Sequence, residues 1–348
     1  MISFYPGPSR VYDGVPRWTA DAYKKGILSM NHRSAEFMDL VKETTALLRR
    51  KLRVPKDYSV LFVSSATECW EIIAQSLVER ESLHAYNGAF GEKWFRYTQK
   101  LNPRSRAHSF DFQAPLDPSA LNLGEADLLC LTQNETSNGT ALSPRLLKEI
   151  RTRFPQTLNA VDATSSMAGI NLDFKLADVW FASVQKCFGL PAGLALLICS
   201  PRAAETARRL ARNNHYNSLA FQLEMIAKHQ TTHTPNVLGI YLLYRSLESV
   251  SSIRETDALI RRRAAQWVTF FKKHPRLSLL VKEDKVLSHT VLTVTSSTSL
   301  QTLKERAKQK GLLLGEGYGP WKETTFRIAN FPAHKVAEIS KLKKFLAS

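Results

Sequence analysis

Short apolar runs alternate with longer amphipathic segments along most of the chain, and this pattern predicts strands and helices in turn. The runs are bounded by polar turn residues and are too short for helices, so we expect buried strands. The longer segments repeat apolar residues at helical spacing, which is typical of helices with one buried face. Strands are predicted at about 58–63, 83–86, 127–132, 159–162, 178–183 and 194–199, and helices at about 35–52, 68–79, 144–153, 202–213, 219–228, 237–247 and 252–273.

Strands that alternate with helices in this way are typical of an α/β fold, a mainly parallel sheet covered by helices. A second set of elements follows the long predicted helix, with strands at about 277–281, 290–294 and 325–328 and helices at about 300–310 and 335–345. We therefore expect an N-terminal arm at 1–15, a large domain at 16–250 and a small C-terminal domain at 251–348.

The composition fits a globular protein with a packed core, because 44% of the 348 residues are hydrophobic. No run of 18 apolar residues occurs, which disfavours a membrane span. The first residues lack the charged and then apolar layout of a secretory signal. The four cysteines have no CxxC spacing, so we expect reduced, buried thiols in a cytoplasmic protein and neither a disulfide frame nor a metal site.

The formal net charge of +17 could indicate a nucleic-acid-binding protein. However, the basic residues are spread over helical segments, where solvated faces are the usual explanation, and no basic and aromatic interleaving accompanies them. We therefore expect neither a nucleic-acid nor a membrane partner. A positive field also favours anionic cofactors and substrates.

One lysine lies where a charged side chain is costly. Lys186 follows Gln185 in a turn of small residues between two buried strands, and an unpaired buried cation is expensive. A Schiff base would remove the charge, and lysine chemistry permits it. Asp162 ends a strand 24 residues upstream, at the sheet edge where α/β proteins place functional groups. Together they suggest pyridoxal phosphate (PLP), with Asp162 paired to the pyridinium nitrogen, although a lone loop lysine is usually just solvated.

Three further stretches have both a functional and a plain structural interpretation. The strand at 58–63 turns through small hydroxyl residues into a helix, which makes either an anion site or an ordinary N-cap. This turn has no glycine, so it is neither a Walker nor a Rossmann motif. Phe90 follows another strand and could face a ring or belong to the core. His32 and Arg33 precede the helix at 35–52, where adjacent basic residues are common.

Taken in order, the motifs FYPGP, NHRSAEF, SSATE, NGAF, QNETSNG, VDATSS, SVQKCFGLPAGL, HTPN and FRIANFP resemble the class V aminotransferases of PLP fold type I. The match spans nearly the whole chain. NHRSAEF, NETSNG, the lysine motif and the late arginine strand look most like phosphoserine aminotransferase. The resemblance implies a large domain with a mainly parallel sheet of the seven-stranded type between helices, and a small α+β C-terminal domain.

The resemblance also implies a role for each matching residue. Lys186 would carry the Schiff base and move the proton between Cα and C4′, and Asp162 would hold the pyridine nitrogen protonated. Phe90 would stack on the ring, and Thr136 would reach its 3′-oxygen. The remaining implied cofactor contacts, mainly to the phosphate, are Ala66, Thr67, Glu68, Thr164 and Gln185.

Other implied contacts require two chains. His233 and Thr234 match a motif that reaches the cofactor phosphate from the neighbouring subunit. His32 and Arg33 match a motif that binds the distal anion of the substrate, again from the partner, whereas Arg327 would clamp the α-carboxylate. We therefore expect a homodimer with shared active sites that uses small anionic amino-acid and 2-oxo-acid substrates.

One departure from the family pattern affects the expected substrate. Phosphoserine enzymes usually carry a Gly-Gly-Gly-Arg turn before the phosphate-binding helix, and here Glu68 stands in place of the arginine. An acid within about 5 Å of a dianion would cost on the order of 1–4 kcal/mol. The expected activity is amino transfer between O-phospho-L-serine and 2-oxoglutarate in serine biosynthesis, and the alternative is an alanine–, serine– or glyoxylate-type aminotransferase acting on a less charged amino acid.

Two more distant functions are disfavoured by particular residues. A cysteine desulfurase needs a nucleophilic cysteine in a mobile loop, and Cys187, which adjoins the lysine, is interpreted as structural. A non-enzymatic binding protein would need none of Lys186, Asp162 and Arg327.

Overall fold

The computed structural model describes residues 1–348, which form two main sheets surrounded by helices. The strands are β1 (Ile2–Phe4), β2 (Ser59–Val63), β3 (Glu81–Tyr86), β4 (Arg106–Ser109), β5 (Ala126–Thr132), β6 (Asn134–Glu135), β7 (Thr140–Ala141), β8 (Leu158–Asp162), β9 (Val179–Ser183), β10 (Ala195–Cys199), β11 (Leu277–Leu279), β12 (Val291–Ser296), β13 (Leu312–Glu316) and β14 (Thr325–Ala329). The helices are α1 (Val15–Lys24), α2 (Ala35–Leu52), α3 (Ala66–Leu77), α4 (Ala89–Leu101), α5 (Pro144–Arg153), α6 (Pro201–Leu210), α7 (Leu219–Ala227), α8 (Val237–Ser249), α9 (Ile253–Lys272), α10 (Leu300–Gln309) and α11 (Val336–Ala347).

The larger sheet has seven strands in the order β2-β10-β9-β8-β5-β3-β4. Only β10 runs antiparallel to its neighbours, and the other adjacent pairs are parallel. The α/β fold class with a mainly parallel seven-stranded sheet is therefore confirmed.

Side chains alternate between two cores on opposite faces of this sheet, as the two-residue period of a strand requires. In β10, Leu196 and Ile198 belong to one cluster, while Ala195, Leu197 and Cys199 belong to the other. Both faces are covered by helices, which explains why these strands are nearly continuous apolar runs in the sequence.

The parallel strands end at one edge of the sheet. β5, β8 and β9 lie side by side, and Asp162 at the end of β8 is in register with Thr132 and Phe181. The residues that follow these strands therefore meet at a single edge, which is where open α/β sheets bind their ligands.

The smaller sheet has five strands in the order β1-β13-β14-β12-β11 and its own core. Its edge strand β1 comes from the N-terminus and pairs in parallel with β13, so that Ile2 lies opposite Leu312. Helix α9 packs into both cores, because Ile253 and Ile260 join the large cluster and Trp267 and Phe271 the small one. The predicted domain boundaries at 16 and 251 stay predictions.

Some elements were not predicted from the sequence. Helix α1 is largely polar, but Val15, Trp18 and Ala22 form a buried stripe along it and Pro16 starts it. Helix α3 begins two residues earlier than predicted because the hydroxyl of Ser65 caps it. Strands β4 and β13 were also missed. Among the helices of the protein, none combines the length and apolar character that a membrane crossing requires.

A buried carboxylate joins two helices and a neighbouring strand to the start of β9. Asp178, just before β9, is 1% exposed and accepts hydrogen bonds from Arg151, Arg202, Ser200 and the backbone N–H of Asn159. Its bonds tie α5, β8 and α6 to the start of β9.

We expect Asp178→Ala to lower the free energy of unfolding by about 3 kcal/mol, since it leaves two partly buried arginines without their partner. Urea denaturation measures this change. Asp284→Ala is the matched control, because it removes only an exposed pair with Lys272 and should cost less than about 1 kcal/mol. Equal losses in the two variants would contradict the assignment.

Candidate active site

A cavity of about 240 Å³ lies between the edge of the large sheet and the small sheet. The ends of β5, β8 and β9 form its floor, the arm at 6–8 forms one wall, and Arg327 of β14 enters from the small sheet. Among the predicted site residues, the cavity is lined by Ala66, Thr67, Phe90, Thr136, Asp162, Thr164, Gln185, Lys186 and Arg327.

Lys186 is held at the centre of this cavity and is only 7% exposed. Its amine donates hydrogen bonds to the hydroxyls of Thr136 and Ser165, both at 2.8 Å. Gly7 passes so close that a Cβ on it would lie 2.8 Å from Cε of Lys186, and its φ of +153° also disfavours a side chain. The absence of a side chain at Gly7 therefore leaves room for the side chain of Lys186.

Burial controls the protonation of Lys186. Desolvation lowers its pKa to about 8, although the charge of Asp162 raises it and that of Arg327 lowers it. Burial likewise raises the pKa of Asp162, and the hydrogen bond from the backbone N–H of Thr164 together with the charge of Lys186 opposes this rise. A large fraction of the amine is thus neutral, and hence nucleophilic, near pH 8.

Two aromatic rings stack beside the lysine. The Phe90 ring lies 4.8 Å from the ring of Tyr318, centroid to centroid, at an interplanar angle of 19°. The Lys186 amine is 5.3 Å from the Phe90 centroid, and the Arg327 guanidinium is 5.3 Å from that of Tyr318. Phe90 therefore lines the cavity and does not belong to the core, while its role against a cofactor ring stays a prediction.

Arg327 is 7% exposed, and its hydrogen bonds go to backbone carbonyls and not to a carboxylate. Its Nε donates to the carbonyl of Glu316 at 2.6 Å and its Nη1 to that of Thr136 at 2.9 Å, while Nη2 donates to no protein group. Burial lowers its pKa to about 10. A guanidinium fixed by backbone carbonyls with a free N–H₂ at the cavity can bind an incoming carboxylate.

The start of α3 is less open to an anion than predicted. The N–H of Ala66 donates to Ser183, and that of Glu68 donates to Ser65. Only the N–H of Thr67 in this first turn lacks a protein partner.

The side chain of Glu68 lies outside the lining of the cavity. It turns back to accept hydrogen bonds from the N–H and hydroxyl of Ser64, at 2.6 and 2.5 Å. The Glu68 carboxylate is therefore hydrogen-bonded to Ser64, just before the start of α3.

The two motifs expected to serve a partner subunit do not line this cavity. Arg33 donates to the side chain of Gln230 at 2.7 Å, which places the loop before α2 against the loop before α8. Burial lowers the pKa of His32, and the charges of Arg33 and His233 lower it further. His32, Arg33, His233 and the exposed Thr234 thus lie in one region of the surface.

Several residues in the lining or in contact with it were not identified from the sequence. Ser165 contacts the lysine and lies within VDATSS, where only Asp162 and Thr164 were singled out. Tyr318 stands between two glycines near the arginine strand, a pattern that is too common to indicate a site. Trp70, two residues after Glu68, is expected near the entrance from the sequence but without an assigned role, and it lines the cavity. Lys93 looks like an ordinary helix residue in the sequence, yet it also lines the cavity.

These residues fit pyridoxal phosphate. Trp70, Asn134 and Thr164 line the cavity. One side-chain atom of each (Nε1, Nδ2 and Oγ1) is buried without a hydrogen-bond partner, and such groups are costly unless a ligand satisfies them. The Lys186 amine with its lowered pKa, the buried Asp162 carboxylate and the Phe90 ring surround the same space. This donor and acceptor set matches a planar pyridine with polar substituents.

We expect Lys186 in the ligand-free protein to react with an uncharged acylating reagent at half its maximal rate near pH 8, whereas an ordinary lysine titrates near about 10.4. The pKa is lowered, so the neutral amine is present above this lower pH. Mass spectrometry of the labelled peptide over a pH series gives the midpoint.

Asp162→Asn is the control for this measurement. It removes the charge that raises the lysine pKa, so the midpoint should move to lower pH. A wild-type midpoint above pH 10 would show that burial does not act on this amine as described.

Comparison with known proteins agrees with this geometry. A model of the class V aminotransferase family matches residues 6–311. A phosphoserine aminotransferase of Nocardioides sp. is 26% identical over 91% of this chain and 87% of its own length.

Solved structures extend the comparison. A phosphoserine aminotransferase from Cytophaga hutchinsonii superposes with a TM-score of 0.95 and is 32% identical, over 99% of this chain and 98% of the other. An alanine–glyoxylate aminotransferase from Nostoc sp. has a TM-score of 0.84 at 20% identity, with 99% and 94% of the two chains covered, which shows the shared fold alone. With a family model that spans most of its length and a solved relative that matches nearly all of it, this chain belongs to the class V aminotransferases, PLP-dependent enzymes of fold type I, and is most like phosphoserine aminotransferase.

Proposed function

We propose that the enzyme transfers an amino group reversibly between O-phospho-L-serine and 2-oxoglutarate, with 3-phosphohydroxypyruvate and glutamate as the other pair, in serine biosynthesis. The observation that carries this proposal is the position of Glu68. Because its carboxylate is bound to Ser64 and does not line the cavity, it does not repel a substrate dianion.

The charges that line the cavity also favour anionic substrates. Lys93, Lys186 and Arg327 are cationic side chains of the lining, and Asp162 is its one carboxylate. Such an excess of positive charge stabilises a substrate that carries two carboxylates, or a carboxylate and a phosphate. The names of the Nocardioides and Cytophaga relatives support phosphoserine as the amino donor. An alanine- or glyoxylate-type activity is the alternative, supported by the absence of the turn arginine.

The chemistry follows from the positions of the side chains. PLP, when bound, supplies an electron sink that stabilises negative charge at the substrate Cα. Lys186 Nζ, oriented by Thr136 and Ser165, removes the proton at the substrate Cα and later returns one to the product. Asp162 would stabilise the positive charge on the ring nitrogen, and Phe90 would stack on one face of the ring.

Two further groups orient the reactants. Arg327 would bind the α-carboxylate through its free Nη2, which fixes the Cα–H bond toward the lysine. Gln185, Thr164 and the N–H of Thr67 would hold the cofactor phosphate. The buried walls of the cavity exclude water, which strengthens these charged contacts.

We propose that the site is completed by a second copy of the chain. His32, Arg33, His233 and Thr234 lie together on the surface and away from their own cavity. In a homodimer, His233 and Thr234 would reach the cofactor phosphate of the partner, and His32 and Arg33 the distal anion of its substrate.

The first experiment mixes PLP-loaded enzyme separately with phosphoserine, glutamate, alanine and serine and follows the cofactor absorbance to the pyridoxamine form. We expect phosphoserine and glutamate to convert it at least about 100-fold faster than alanine or serine, because only they offer a second anion. Rapid conversion by alanine or serine alone would favour the alternative activity.

Glu68→Gln tests whether the Glu68 carboxylate lies away from the substrate. Since the side chain contacts Ser64, the KM for phosphoserine should stay within about twofold of the wild-type value. A KM for phosphoserine about tenfold below the wild-type value would mean that the Glu68 carboxylate repels the substrate.

The shared site has its own test in mixed dimers. Lys186→Ala and Arg33→Ala should each depress phosphoserine turnover, but their heterodimer places both defects in one site and leaves the other intact. Coexpression should therefore restore about a quarter of wild-type activity by random pairing. Purification of the heterodimer through two affinity tags measures this directly, and an inactive heterodimer would contradict sharing.

A further inference from the structure

A carboxylate that the proposed mechanism does not use lies behind the cavity. Glu135 is 1% exposed. Its oxygens accept hydrogen bonds from the N–H of Gly91 at 3.1 Å and of Phe90 at 3.4 Å. They also accept from the N–H and the hydroxyl of Ser137, at 2.9 and 2.6 Å.

These bonds form the N-terminal cap of α4 from outside the helix. The residue at the N-cap position, Gly88, has no side chain to cap with, and a Cβ there would lie 2.4 Å from Cγ of Glu135. The hydroxyl of Ser137 accepts from the N–H of Ala89 at 3.0 Å. The loop 135–137 therefore satisfies the first N–H groups of α4, and the carboxylate also interacts favourably with the helix dipole.

The same loop holds the catalytic groups on its other side. Thr136 accepts from the Lys186 amine through its hydroxyl and from Arg327 through its carbonyl. The charge of Glu135 also acts on both cations, since it raises the pKa of Arg327 and of Lys186 against the effect of burial.

We propose that Glu135 is a positioning residue that fixes Phe90 and Arg327 relative to Lys186, and so sets the affinity for PLP and for the α-carboxylate of the amino donor. The carboxylate reaches Phe90 through the first turn of α4 and Arg327 through the adjoining Thr136 carbonyl. This role applies to whichever amino donor the enzyme uses and does not depend on the phosphoserine assignment.

Glu135→Gln tests the role. The amide keeps the shape of the side chain but loses its charge, and its NH₂ group donates where the carboxylate accepts hydrogen bonds from Phe90, Gly91 and Ser137. We expect the dissociation constant of PLP from the apoenzyme to rise about tenfold. The KM of the fastest amino donor should rise about tenfold while kcat changes less than about threefold. Fluorescence titration gives the PLP affinity, and the visible circular dichroism of the bound cofactor should change with the position of Phe90.

The matched control is Glu92→Gln on the same helix, where the carboxylate pairs only with Arg96 at the surface. It should leave PLP affinity and KM within about twofold of wild type. A Glu135→Gln enzyme that also stays within twofold, with an unchanged dichroism band, would overturn the proposal.

A double-mutant cycle separates positioning from a general loss of stability. If Glu135 acts through Phe90, Glu135→Gln should change PLP affinity less in a Phe90→Leu background than in the wild type. If the two substitutions change the dissociation constant by independent factors that multiply, Glu135 does not act through Phe90. Should Glu135→Gln fail to fold, Ser137→Ala keeps the carboxylate but loses its 2.6 Å hydrogen bond. That variant should raise the PLP dissociation constant by about threefold, and no change would refute the proposal.

Discussion

Two cations, Lys186 and Arg327, are buried around one cavity, and the arrangement of the site depends on how their charge is offset. Removing an ion from water costs several kcal/mol unless other groups compensate. Neither cation has a direct carboxylate contact; hydroxyls and backbone carbonyls accept their hydrogen bonds instead. The carboxylates of Asp162 and Glu135 act from a greater distance. Burial therefore lowers both pKa values, because the carboxylates only partly offset it, and an anionic ligand would complete the neutralisation.

The topology of the large sheet makes this arrangement possible. Parallel strands deliver their following loops to one edge, so Thr136, Asp162 and Lys186 meet although 50 residues separate the first from the last. The small sheet then adds Arg327 on top of them. Each element therefore contributes one or two groups, and the loops between strands and helices set the distances.

Much of this could be predicted from the sequence because it depends on local patterns. Apolar runs identify the strands, and a lysine between two buried strands together with an aspartate at a strand end indicates PLP. The family resemblance assigned residues that the structure does bring to the cavity, such as Phe90 and Arg327, while their roles stay predictions. Helix α1 was missed because its three buried residues are separated by polar ones.

Other features depend on tertiary contacts and could not be predicted. An ungapped comparison places Glu68 where relatives have a basic residue, but no pattern indicates that its side chain returns to Ser64. Ser165, Tyr318 and Glu135 likewise look ordinary in the sequence. Their importance follows from the close approach of segments far apart in the chain, and their contacts in the folded structure reveal it.

The N-terminal strand links the order of synthesis to the assembly of the site. Strand β1 pairs with β13, which the ribosome makes close to the C-terminal end of this chain, and the arm that follows β1 then passes Lys186 at Gly7. Strand β1 cannot pair until β13 exists, and such long-range pairing is slow to form. The edge of the large sheet that carries Lys186 is therefore complete only after the small sheet, which supplies both β13 and Arg327, has been made.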